Sequence, residues 1–177
     1  MSPRSIVIVA VFAATFAVVG AITRADQDRQ ALRVPDGLAF SDFNGYEAWQ
    51  DIAVSVTRTS VKAILGNAAM IQAYRDGIPG NGKAFPDGAR IVKIEWLKKE
   101  NPNSQYPVEV PDTLKSLSFM ERDSKKYPSS HGWAYAQFAY DSESHTLKPS
   151  VTGTACGDAC HIVVASQGYV FTAYPPR

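Results

Sequence analysis

The residues best able to do chemistry in this chain stand together near its end. Both cysteines fall in one short run, Cys156-Gly157-Asp158-Ala159-Cys160-His161. Two thiols followed at once by a histidine suit covalent haem attachment, whose usual form is Cys-x-x-Cys-His. In that form the thiols add to the haem vinyl groups, and the histidine sits beneath the iron as its proximal ligand. Here three residues separate the thiols. Gly157 supplies backbone freedom for both sulfurs to reach their vinyls, and His161 still follows the second cysteine directly.

Other chemistry fits the same run. Residues four apart on a helical turn approach closely enough for a Cys156–Cys160 disulfide. Two cysteines and a histidine also begin a zinc site, although closure needs a fourth ligand, and His131 and His145 lie in unrelated loops. His161 alone also reads as an ordinary surface residue. Spacing by itself puts haem only modestly ahead.

The elements that must position this run belong to a globular chain. Its 177 residues are 45% hydrophobic and 20% charged, which excludes disorder and small disulfide scaffolds. A net charge of +1 leaves no field to draw nucleic acid, so no nucleic-acid partner is expected. Met1 to Arg4 is a short basic start. Ile6 to Ile22 then runs without a charge, and Thr23-Arg24-Ala25 offers small residues for cleavage. Residues 1–25 therefore read as a signal peptide, with an uncleaved anchor as the alternative. That places the mature protein in the periplasm or outside the cell.

After the signal, residues 26–42 are polar, lack periodicity and read as an N-terminal arm. Residues 43–177 read as one mainly β (α+β) domain, an antiparallel sheet with a few short helices. Asn44 is expected to cap a short helix, and Asn67 a longer one over Ala68 to Asp76 that stops at Gly77. Strands are expected at Ile52–Thr59, Val61–Leu65, Ala89–Leu97, Leu114–Glu121, Trp133–Tyr140 and Tyr169–Tyr174. Gly77 to Gly88 and Pro102 to Pro111 read as loops. Alternation on the strongest strand puts Ala89, Ile91, Lys93, Glu95 and Leu97 on one face. Lys93 thus shares an apolar face with Ile91, where burial favours a neutral, nucleophilic amine. On residues alone, an exposed lysine lying over the sheet is the simpler account.

Asn67 to Tyr74 (NAAMIQAY), the Pro86-Asp87-Gly88 turn and Ile91 to Trp96 (IVKIEW) follow one another in order. Arg122 to Tyr127 (RDSKKY), Gly132-Trp133 and Val170-Phe171-Thr172 continue the series. Together these motifs resemble the cytochrome P-460 family across nearly the whole mature chain. The resemblance implies an exported, β-rich c-type haem protein, often a homodimer, related to β-type cytochromes c-prime. Its founding members oxidise hydroxylamine or handle nitric oxide, so a small nitrogen-oxide substrate and a redox partner protein are implied. By this resemblance Cys156 and Cys160 hold haem c, His161 ligates its iron, and Lys93 bonds to the porphyrin edge. Lys62 falls where hydroxylamine-oxidising relatives carry a basic residue near the haem. Their acidic residue is replaced, because the matching stretch reads Leu117-Ser118-Phe119-Met120. Ser118 cannot accept a proton as a carboxylate would. Phe119 or Met120 facing the iron would instead form an apolar cap suited to an uncharged gas. Two functions follow: an oxidoreductase for hydroxylamine or nitric oxide, or a haem protein that binds nitric oxide or passes electrons.

Overall fold

The computed structural model describes residues 29–35, 37–150 and 153–177; the signal peptide expected over residues 1–25 lies outside them. Six strands form a single antiparallel sheet in chain order, each next to its sequence neighbour. They are β1 (Gln50–Val56), β2 (Ser60–Gly66), β3 (Arg90–Glu100), β4 (Glu109–Arg122), β5 (Trp133–Asp141) and β6 (Thr146–Pro149). Between β2 and β3 lies helix α1 (Ala68–Arg75), and after β6 comes α2 (Gly153–His161).

Strand alternation sorts the apolar residues onto two faces. Val92, Leu117, Phe119, Ala136 and Phe138 face one way, and Phe40, Phe43 and Leu38 cover them. Phe43 stacks on Phe119 at 4.4 Å between ring centres. Ile64, Ile91, Met120, Trp133 and Tyr135 face the other way, against Met70 and Ile71 of α1.

Asn67 fixes where α1 and β3 begin. Its Oδ1 accepts from Met70 N at 3.1 Å and from Arg90 N at 3.0 Å, while its Nδ2 donates to the Gly88 carbonyl at 2.8 Å. One side chain therefore caps the helix and registers the strand that carries Lys93. The Asp87-Gly88 turn is anchored to the end of β4, because Asp87 accepts from Ser124 N and Oγ at 2.7 and 2.8 Å.

Three expectations are corrected. The segment 26–42, expected as a polar arm without periodicity, buries Val34, Leu38 and Phe40 against the sheet face away from α2. Tyr169 to Tyr174 is not a strand, because Tyr169 takes a left-handed φ of 67° and the chain crosses the site as an irregular segment. Finally, β4 starts inside the expected Pro102–Pro111 loop, and β6 had no expectation at all.

Candidate haem site

Helix α2 lies over β5, and a cavity of about 440 Å³ opens between it and the sheet. The sheet contributes its wall in registered rows. Ser55, Lys62 and Glu95 pair across β1, β2 and β3. The next row holds Ile64, Lys93, Ser118 and Gln137, and the one beyond it Ile91, Met120 and Tyr135. Lys62 and Lys93 therefore line one cavity with Cys156, Cys160 and His161. All five candidate residues meet there.

The extra residue between the cysteines is absorbed by helical geometry. At about 100° per residue, positions 156, 157, 160 and 161 share an arc of about 140°. Both thiols are free, and both line the cavity. Gly157 does something other than lend flexibility. A Cβ on it would stand 2.3 Å from Tyr135 Cγ and 2.5 Å from Tyr135 Cβ, so α2 can sit this close to β5 only with glycine there.

His161 ends α2 with its ring held on several sides. Tyr135 lies 4.7 Å away between ring centres, and Phe171 meets it edge-on at 4.9 Å. Its Nδ1 stands 2.7 Å from the Tyr169 carbonyl, which only accepts, so Nδ1 carries the proton. Burial lowers the His161 pKa against the opposing Tyr169 bond, and Lys93 lowers it further. The result is a neutral imidazole whose Nε2 lone pair is free for a metal, with the tautomer fixed by a backbone carbonyl.

Lys93 is largely enclosed by the sheet and the cavity walls. Burial, reinforced by the charge of Lys62, pulls its ammonium below the usual 10.5. Ser118, its cross-strand neighbour, keeps a buried Oγ with no hydrogen-bond partner among the described residues.

These features fit a covalently held haem. Two thiols one turn apart, a histidine with its distal nitrogen free and an apolar cavity with an unsatisfied hydroxyl in its wall all suit the group. Both cysteines are free thiols, and among the described residues no three His, Cys, Asp or Glu side chains gather as a metal site. A family model, Cytochrome P460, matches residues 43–172. The chain belongs to the cytochrome P460 family. Haem c with its iron is therefore its cofactor. Comparison with curated proteins finds no match.

The other expectations separate cleanly by face. Met120 lies on the cavity side, whereas Phe119 points its ring into the opposite core. Trp133 packs on Phe85 and donates Nε1–H to the Gly168 carbonyl at 3.1 Å, Tyr135 lines the cavity, and Phe138 lies on the far face. Sequence reading missed the Tyr169 carbonyl, because any residue type can offer one. It also missed Ser55 and Gln137, whose only signal was their place on the alternating face.

Proposed function

We propose that this cytochrome P460 is an exported oxidoreductase, periplasmic or secreted, that acts on hydroxylamine or nitric oxide. One observation carries the reading: Lys93, half-buried on β3, lines the same cavity as Cys156, Cys160 and His161. The signal-like start of the chain supports export. When bound, the haem supplies an iron that changes oxidation state and takes a small ligand.

The chain's own residues then have distinct parts. Cys156 and Cys160 would hold the group by thioethers, and His161 would ligate through Nε2. Lys93, its ammonium disfavoured by burial, would bond through Nζ to the ring edge in place of a ring hydrogen, a two-electron oxidation for which a peroxide would serve as acceptor. Lys62, on the same wall, would hold a positive charge near the substrate. Electrons would leave to a redox partner protein, and the family likeness favours a homodimer.

A second reading, nitric oxide binding or electron transfer without turnover, has its own support. Ser118 and Met120 occupy the wall where a proton-accepting carboxylate would serve hydroxylamine oxidation. Lys93→Ala separates the two. It should keep the thioether-bound haem, convert its absorption to that of an ordinary c-type haem, and lower hydroxylamine turnover more than nitric oxide binding. Peptide mass spectrometry of wild type should find the Lys93 peptide joined to the Cys156–His161 peptide. A free Lys93 peptide in fully haem-loaded protein would discard the oxidase reading in favour of the second.

A further inference from the structure

Three non-glycine residues take left-handed backbone conformations among the described residues: His131, His145 and Tyr169. Such conformations are unfavourable for side chains with a Cβ and persist where surroundings impose them, often at functional sites. Two of the three touch each other. The His131 and Tyr169 rings stack at 4.6 Å with 18° between their planes. Tyr169 is also the residue whose carbonyl accepts the His161 Nδ1–H.

The stack is tied to the haem-attachment helix. His131 Nδ1 lies 2.9 Å from Asp158 Oδ1, and Asp158 sits midway between the two cysteines. The His131 carbonyl is held in turn by the Arg122 guanidinium. Arg122 fills the space beside Gly132 so fully that a Cβ there would lie 1.7 Å from Nη1. A closed path thus runs from α2 through Asp158 and His131 to Tyr169, and back to His161 at the end of α2.

We propose that His131 and Asp158 are positioning residues for the proximal ligand. They hold Tyr169 in its left-handed conformation, which aims its carbonyl at His161 Nδ1. A strong bond at Nδ1 gives the imidazole more anionic character and makes Nε2 a stronger donor. Electron donation of that kind favours the oxidised metal, so the pair sets the reduction potential without touching the cofactor. This inference rests on reading His161 as the iron ligand.

The test uses the haem-loaded protein and reads the iron–histidine stretching band of the reduced form together with the midpoint potential. Wild type should show a band that His161→Ala abolishes. His131→Ala and the isosteric Asp158→Asn should each shift the band to lower frequency and raise the potential, with haem content unchanged. Trp49 packs on Phe43 in the opposite core, 5.9 Å between ring centres, so Trp49→Ala should destabilise the protein and move neither readout. A band that survives His161→Ala would overturn the ligand assignment and this inference with it. A band that depends on His161 but stays at its wild-type position in both variants would overturn the positioning role alone.

Discussion

Glu95 carries a carboxylate on the sheet with only 7% of its surface exposed. It is tolerated there because Ser60 Oγ and Lys115 Nζ both donate to its Oε1, at 2.8 and 2.9 Å. Burial by itself would raise the carboxyl pKa, but the bonds from Lys115 and Ser60 outweigh it and hold the group below 4.5. A pKa depressed by folding contributes stability above the unfolded value, and that contribution disappears as pH falls through the folded value. Glu95→Gln should therefore cost about 1 kcal/mol near pH 7, a modest figure because Lys115 is half exposed. Near pH 3, below the usual carboxylate range, the gap should be narrower. Urea unfolding at both pH values measures this, and a constant gap between them would show that charge is not what these bonds hold. At this scale, side-chain chemistry is what a sequence reveals. Cys156, Cys160 and His161 stood out by type and spacing, whereas Lys93 was picked out by the family resemblance, since alternation alone left it an ordinary exposed lysine. The Tyr169 carbonyl left no such trace, and Asp158 looked like one more acid on a helix.

Helix α2 shows how one glycine sets the distance between two elements. Alanine is the better helix former by roughly 1 kcal/mol, yet a Cβ at Gly157 would press into Tyr135 at its Cβ and Cγ, which cannot swing aside. Overpacking of this kind costs about 2 kcal/mol, so the clash should win. Gly157→Ala should lower the thermal midpoint and the fraction of chains that retain haem, both readable from one absorbance melt. A variant at least as stable as wild type would mean that α2 does not sit this close to β5. Elements with a strong periodic signal were legible: α1 between Asn67 and Gly77, and β3, which runs from Arg90 to Glu100 where Ala89 to Leu97 was expected. The Tyr169–Tyr174 segment was not, since its apolar and aromatic residues suit a strand as well as a loop. Only the left-handed turn at Gly168 and Tyr169 and the bond from Tyr74 Oη to the Thr172 carbonyl, 2.6 Å long, decide the matter. The 26–42 segment was misread for a related reason, as its few apolar residues lack a period but fill one hole each.

The whole molecule has one sheet and two unequal cores. On the far face Phe40, Phe43, Phe119 and Phe138 pack ring against ring, with centroid separations of 4.4 to 5.6 Å, and need nothing else. The near face is incomplete as protein: α1 covers part of it, and the rest is a cavity of about 440 Å³ bounded by α2 and the 168–172 segment. A haem seated in that cavity would supply packing partners to the near face that the far face finds within the protein. Stability should then be distributed unevenly in the haem-free chain, with local opening concentrated where packing partners are missing. Replacing both Cys156 and Cys160 by alanine removes the thioether links, and the test uses that chain prepared free of haem. Amide hydrogen exchange should show α2 and residues 162–174 losing protection in that chain, along with the Ile91–Lys93 end of β3. The Phe40–Phe43 turn and the β4–β5 amides beneath it should stay protected, because their cover is all protein. If protection instead falls evenly through both faces, the sheet has no self-sufficient core, and haem is required for folding of the entire domain.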